Sequence, residues 1–217
     1  RSWSSFQEVM DAFRRQLHHL VEIKIRGNNL IERLWAQFLP TPFLSLIIDD
    51  CIRSGRDYHD GGARYNTSYI QGVGLGSVTD ALSAIRRHVF GNGEMPMAAL
   101  LDALAADFVG YERLRMRLRE ETPRYGNDDE YADEVMQWVF ESYFDAIDGR
   151  PNTRGGAYRI NLLPTTVHIY FGSVVSALPD GRRAGEPLSE GISPVQGMDR
   201  RGPTAVFKSA ARLDHVR

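Results

Sequence analysis

The chain has 217 residues, 42% of them hydrophobic and 25% charged, which is ordinary for a globular protein with a sizeable core. Its formal net charge of -2 excludes the basic surface that nucleic-acid or anionic-membrane binding requires, so we expect neither partner. The single cysteine, Cys51, excludes an internal disulfide framework and a cysteine-rich zinc site. A lone thiol favours a reducing, cytoplasmic location.

The N-terminal stretch predicts an amphipathic helix. Ser5 and Glu8 have capping-box spacing. From Phe6 to Val21, apolar residues recur at steps of three and four, which places them on one helix face. Gly27, followed by Asn28, predicts the end of this helix.

The segment "PFLSLIIDDCIRSG" predicts a short apolar helix that begins at Pro42 and ends at Gly55. Asp49 and Asp50 are possible metal ligands, but a solvated helix edge is the favoured interpretation. The same two aspartates disfavour a reactive thiolate at Cys51, which we therefore expect to be buried and structural.

Two other groups invite a functional interpretation. His18 and His19 are adjacent, so on a helix they point in different directions and are better read as surface residues than as metal ligands. In "IQGVGLGSVTDAL", Gly72, Gly74 and Gly76 precede a predicted helix and suggest a phosphate-binding turn. No convincing strand precedes them, so close packing of backbone against backbone is the favoured interpretation.

Later segments complete the prediction. Helices are expected after Pro96 and after the run from Asn127 to Glu130. "LLPTTVHIYFGSVV" is rich in β-branched and aromatic residues and predicts a buried strand. A packed core residue is the favoured interpretation of His168, although a strand in a barrel wall could point it at a ligand. The Gly- and Pro-rich residues 179–203 have no helical or strand period, and we predict a loop that packs against the helices.

Four segments together resemble one enzyme family. They are "DDCIRSGRDYHDGGARYN", "PRYGNDDEYAD", "RGGAYRINLLPTTVHIYFG" and "PDGRRAGEPLSEGISPVQGMDRRGPTAVFKSAARLDH". Each is long, rich in unusual residue choices and in the order seen in the glycyl radical enzymes, the pyruvate formate-lyase superfamily. Their residue choices are similar to those of the branch of dehydratases and lyases that includes glycerol, propanediol and hydroxyproline dehydratases and choline trimethylamine-lyase.

The resemblance implies an α/β fold: a helix-rich piece of a ten-stranded α/β barrel that shields radical chemistry from water and oxygen. It also implies an anaerobic, cytoplasmic homodimer that carries a glycyl radical, installed by an activating enzyme that uses S-adenosylmethionine. In the family, the radical passes to a cysteine, and a nearby glutamate acts as base while hydroxide or an amine leaves a small-molecule substrate.

The chain departs from the family at two motifs. It contains neither the Gly-Cys-Val-Glu motif of the thiyl cysteine nor the Arg-Val-x-Gly-Tyr motif of the glycyl radical. By motif order, we expect residues 1–217 to be a partial domain between these two loops, inactive alone, with no catalytic residue, metal or bound cofactor of its own.

The resemblance also implies a role for one stretch of this chain. Leu163, Pro164, Thr165 and Thr166 lie on the predicted strand, which in the dehydratases of this family runs beside the substrate, so we expect these residues to contact it. Arg159 is a weaker candidate that could bind an anionic substrate group, although a structural salt bridge is favoured.

Two alternatives stay open. Within the enzymes, formate C-acetyltransferase activity would require two consecutive cysteines in the thiyl loop. Outside the enzymes, the chain would be a non-catalytic scaffold or interaction domain. The motifs of the full-length protein distinguish all three.

Overall fold

The computed structural model describes residues 3–91, 93 and 95–216, and these residues are mostly helical. The helices are α1 (Phe6–Phe38), α2 (Pro42–Leu46), α3 (Asp49–Ser54), α4 (Leu75–Ile85), α5 (Met97–Ala105), α6 (Glu112–Glu121), α7 (Glu130–Ile147), α8 (Val167–Val174) and α9 (Pro203–Ala210). A short 3₁₀ turn spans Tyr58–Asp60, and a π-helical turn, Arg86–Gly91, follows α4. Two strands, β1 (Ser68–Gln71) and β2 (Tyr158–Asn161), pair in a two-stranded sheet.

The described residues divide into two compact units. The first unit takes its residues from 1–13, 71–141 and 162–217, and the second from 14–70 and 142–161. In the part of the chain that the structure describes, no helix is both long and apolar enough to cross a membrane.

The first unit has an apolar core that begins on α5. Leu100 and Ala103 are buried there and pack with Phe108 and with Leu118 of α6. Burial of each large side chain stabilises the fold by about 1.5–3 kcal/mol. Pro96 caps α5, and α7 begins at Glu130, so the sequence-based predictions of these two helices are confirmed.

The core of the second unit contains two tyrosines whose hydroxyl groups are paired. Tyr158 of β2 is fully buried and its hydroxyl contacts Asn29 Oδ1 at 2.9 Å. Tyr143 of α7 donates to the carbonyl of Ile70 at 2.9 Å. Because each hydroxyl has a partner, the rings are buried without the cost of an unpaired polar group.

The beginning of α1 was predicted correctly, and its end was not. Ser5 Oγ accepts a hydrogen bond from the backbone N–H of Glu8, as the capping-box spacing predicts. The helix then continues through Gly27 as far as Phe38. A glycine inside a helix costs only about 1 kcal/mol relative to alanine, so a single glycine does not have to end a helix.

The predicted helix 42–55 is interrupted. Pro42 begins α2, but the helical pattern breaks at Ile47 and resumes at Asp49 in α3. Gly55 ends α3 with a φ of 62°, in the left-handed region that glycine adopts without strain. Cys51 is buried on α3, as predicted.

The predicted strand at 162–175 is wrong. Residues 162–166 have no regular structure, and α8 follows from Val167 to Val174. A short apolar run is compatible with a buried strand or a buried helix, and periodicity alone does not distinguish them. The β-rich composition favoured the strand, whereas only His168 and Gly172, one helical turn apart, are buried.

Candidate functional site

The predicted substrate-contact residues lie in the irregular segment 162–166, whose backbone is held by neighbours in the first unit. Ile192 donates its backbone N–H to the carbonyl of Leu162 at 3.1 Å. Gln71 Nε2 donates to the carbonyl of Leu163 at 2.7 Å. Pro164 has no N–H to donate to a strand partner, and β2 has already ended at Asn161.

Thr165 is the distinctive residue of this segment. Its hydroxyl oxygen is buried and has no hydrogen-bond partner among the described residues. Its carbonyl accepts a hydrogen bond from His168 Nδ1 at 2.6 Å. A buried polar group without a partner costs about 1–3 kcal/mol, so this hydroxyl is suited to a partner supplied by a ligand or by another part of the parent protein.

The other three predicted substrate-contact residues present exposed side chains. Leu163 is 59% exposed, and Pro164 and Thr166 are also exposed. The segment therefore combines an apolar surface with two hydroxyl groups. A site for a small polar molecule typically has this mixture, with a few polar groups that fix the ligand's orientation.

Arg159 lies on β2, in the second unit, and already has an ionic partner. Its Nη1 contacts both carboxylate oxygens of Asp148 at 2.7 Å. The arginine side chain is 52% exposed and the aspartate 18% exposed. This geometry supports the structural salt bridge that the sequence favoured.

The Gly/Pro loop, residues 179–203, packs against helices of the first unit, as predicted. Arg182, which is buried, donates to carbonyls before and within the loop. The five acceptors are the carbonyls of Gly172, Val175, Ser176, Glu186 and Pro187. Because a guanidinium has five N–H donors, this one side chain is saturated and joins the loop to the end of α8.

The same loop covers the beginning of α4, where the sequence suggested a phosphate site. Ser189 Oγ accepts from the N–H of Ser77 at 3.0 Å, and Ser77 Oγ accepts from the N–H of Ser189 at 2.8 Å. A Cβ on Gly76 would lie 2.8 Å from the carbonyl oxygen of Ser193. The glycines therefore serve close backbone packing, as favoured, although a strand, β1, does precede them, contrary to the prediction.

A buried charge cluster ties two of the family-like segments together. Arg124 is 6% exposed, and its Nη1 contacts Asp80 at 3.0 Å and Asp180 at 3.4 Å. Burial raises the pKa of Asp80 to about 7, although the charge of Arg124 acts in the opposite direction. Arg124 comes from "PRYG" and Asp180 from "PDGRR", so sequence analysis found the segments but not the contact.

The remaining candidates have structural explanations. His18 and His19 are exposed on α1. Asp50 pairs with Arg64 at 3.1 Å. Within the described residues, no group of three or more histidine, cysteine, aspartate or glutamate side chains could hold a metal ion.

A cavity was missed by sequence analysis. It measures about 170 Å³, lies in the first unit and is lined mainly by polar side chains, including Arg119, Arg124, Arg200 and Arg201. None of the residues 163–166 lines it. The arginines are scattered along the chain, so no local motif marks the cavity.

Comparison with known proteins identifies the family. The family model described as pyruvate formate lyase-like matches residues 1–172. The chain belongs to this family. Trans-4-hydroxy-L-proline dehydratase of Clostridioides difficile is 52% identical over 217 residues, which cover 100% of this chain and 28% of that enzyme.

Solved structures agree. A crystal structure of hydroxyproline dehydratase from the same organism, with trans-4-hydroxy-L-proline bound, has a TM-score of 0.95 at 52% identity and covers 98% of this chain and 27% of that one. The glycerol-bound, B12-independent glycerol dehydratase of Clostridium butyricum has a TM-score of 0.93 at 37% identity, with the same coverage.

These matches confirm the predicted family and fold class. The relatives are glycyl radical dehydratases and lyases that act on small polar substrates. The chain spans about a quarter of the length of the relatives it matches. Its helix-rich structure with a small sheet is that of a fragment of their α/β barrel.

Proposed function

We propose that the parent protein is a glycyl radical dehydratase or lyase that removes a hydroxyl or similar leaving group from a small polar substrate by radical elimination. The observation that supports this most strongly is the match to hydroxyproline dehydratase, with 52% identity across the chain and a TM-score of 0.95. Fold alone would be weaker support, because one fold hosts many reactions. Here the match covers the whole chain and therefore includes all four family-like segments.

In this proposal, residues 1–217 are part of a pyruvate formate-lyase-like domain, and the radical centres lie elsewhere in the parent. The glycyl radical, installed by an activating enzyme that uses S-adenosylmethionine, supplies hydrogen abstraction. Since neither radical motif occurs in these 217 residues, the chain's own residues are assigned binding and shielding only. We expect the parent to be an anaerobic, cytoplasmic homodimer.

The substrate-binding role falls first to residues 163–166. Thr165 provides a buried hydroxyl that has no partner in the described structure, and Leu163 provides exposed apolar surface. A substrate hydroxyl, amine or carboxylate could pair with that threonine while its carbon skeleton contacts the leucine. Arg159 is the weaker candidate for substrate binding, because an anionic substrate would have to compete with Asp148 for its guanidinium.

The Gly/Pro loop supports shielding. Radical chemistry requires an enclosed site from which water is excluded. Arg182 and Ser189 pair the loop's polar groups with protein rather than with water. Pairing of this kind lets the loop form a dry wall at little cost, although Arg183 Nε is buried there without a partner in the described structure.

The reaction class is tested with the activated full-length protein under anaerobic conditions. The substrates are trans-4-hydroxy-L-proline, glycerol, propane-1,2-diol, and pyruvate with coenzyme A. We expect loss of water from one of the hydroxylated substrates, measured by product analysis alongside radical content by electron paramagnetic resonance. Formate production from pyruvate would support formate C-acetyltransferase instead. Absence of both radical motifs from the full-length protein would support the non-catalytic scaffold.

The substrate wall is tested by Thr165→Val, which removes the hydroxyl with little change in volume. We expect a higher KM or a lower kcat, by roughly two- to tenfold, because one hydrogen bond to the substrate is lost. Radical content should be unchanged. The control is Ser173→Ala on the exposed face of α8, which should leave both unchanged. Normal kinetics with normal radical content would remove Thr165 from the site, and loss of the radical would make its role structural.

A further inference from the structure

His168 occupies the first turn of α8 with its ring directed back toward the segment that precedes the helix. It is 7% exposed. Its Nδ1 lies 2.6 Å from the carbonyl oxygen of Thr165. Because a carbonyl only accepts hydrogen bonds, Nδ1 carries the hydrogen and donates it.

This hydrogen bond acts on the residue whose hydroxyl has no partner. The orientation of the Thr165 peptide group, together with its side-chain rotamer, sets where the hydroxyl points. The neighbours Ile192 and Gln71 hold the carbonyls of Leu162 and Leu163, and His168 holds the carbonyl of Thr165. A buried imidazole bonded to the carbonyl is therefore a strong local restraint on that peptide group.

The backbone of His168 is in turn held by the Gly/Pro loop. Leu188 donates its N–H to the carbonyl of His168 at 3.3 Å. A Cβ on Gly172, one turn later, would clash with the carbonyl of Glu186, so α8 packs closely on the loop. Glu190 Oε1 lies 4.0 Å from His168 Nε2, which is beyond hydrogen-bonding distance. The contact that distinguishes this histidine is thus the one made by Nδ1.

We infer that His168 is a positioning residue: through its Nδ1–H it orients Thr165 so that the threonine hydroxyl faces the bound substrate. The inference rests on the proposed function of residues 163–166 as a substrate wall. His168 itself contacts no substrate in this scheme. It transmits the fixed position of the Gly/Pro loop to the site.

The test uses two amide variants of the full-length protein. His168→Asn can place its amide N–H near the position of Nδ1, whereas His168→Gln places it near Nε2. We expect the glutamine variant to lower kcat/KM by roughly two- to tenfold and the asparagine variant to restore most of that loss. Radical content and thermal midpoint are measured on the same preparations. Equal losses in both variants, or none in either, would overturn the inference.

A double-mutant comparison supplies the second readout. If His168 acts through Thr165, His168→Gln should have little further effect on kcat/KM in a Thr165→Val background. Independent, multiplicative effects would instead overturn the positioning role. If Thr165→Val alone has normal kinetics, the substrate wall itself fails. If it is impaired while His168→Gln is normal, only the inference about His168 fails.

Discussion

The Gly/Pro loop and segment 162–166 both lack regular secondary structure, yet they differ in how their buried polar groups are paired by hydrogen bonds. In the loop, Arg182 uses all five of its donors on carbonyls, and Ser77 and Ser189 exchange two hydrogen bonds. In the segment, the hydroxyl of Thr165 is buried without a partner in the described structure.

The difference distinguishes scaffold from site. Arg182 and Ser189 are fully paired in the loop, which can make it rigid without a ligand, although Arg183 Nε is buried there without a partner in the described structure. A segment that buries an unpaired hydroxyl has unmet hydrogen-bonding capacity, which is frequent where proteins bind ligands. Sequence resemblance alone would favour the loop over segment 162–166 as the functional region, since the loop holds the longer family-like segment.

Breaking the loop should have the largest effect. Arg182→Met keeps much of the side-chain volume but removes five hydrogen bonds to carbonyls, of which those of Gly172 and Val175 keep a backbone donor. We expect a loss of stability of more than about 3 kcal/mol, seen as a lower thermal midpoint and a lower soluble yield of the full-length protein. Arg200→Met is the matched control, because Arg200 pairs with Glu120 at an exposed site and should cost less than about 1 kcal/mol. Equal losses in the two variants would mean that the five bonds are not the source of the loop's rigidity.

A side chain added where the loop contacts segment 162–166 should have a smaller effect on stability than the loss of Arg182. A Cβ on Gly191 would overlap the carbonyl of Leu162, so Gly191→Ala must displace either the loop or the segment. We expect a cost of about 1–3 kcal/mol in unfolding free energy, together with a rise in KM. The control is Gly27→Ala, which has nothing within 4 Å of the new Cβ and lies inside α1. That change should stabilise the protein by about 0.5–1 kcal/mol. Unaltered stability of Gly191→Ala would contradict the close contact.

The buried carboxyl group of Asp80 should give an effect of a different kind, visible as a pH dependence. The pKa of Asp80 is raised to about 7, so its folded state prefers the protonated form. Its contribution to stability is greatest below the ordinary aspartate pKa of about 4 and is lost as the pH rises through about 7. Relative to the unaltered protein, Asp80→Asn should therefore gain stability between about pH 4 and pH 7 and then level off.

The control for this prediction has the opposite sign. The hydrogen bond from Arg200 lowers the pKa of Glu120. The unaltered protein should therefore gain stability relative to Glu120→Gln as the pH rises out of the acidic range. Thermal midpoints of the three proteins at several pH values give the comparison. Parallel curves for Asp80→Asn and the unaltered protein would contradict the raised pKa.

Local signals predicted the elements that depend on neighbouring residues. The capping of α1 by Ser5, the start of α5 after Pro96 and the end of α3 at Gly55 each follow from interactions within a few residues. Gly27 shows the limit of such signals, because its local preference to end a helix is smaller than the gain from continuing one.

The sequence by itself determined the family and the stretch proposed to face the substrate, because both are carried by contiguous residues. Only the tertiary structure decided that "VHIYFGSV" is helical, since an apolar run has no periodicity that separates helix from strand. Tertiary structure likewise joined Arg124 to Asp180, 56 positions apart, and His168 to the loop residue Leu188. Hydrogen bonds between distant residues depend on how the chain packs, and no local pattern of residues specifies them.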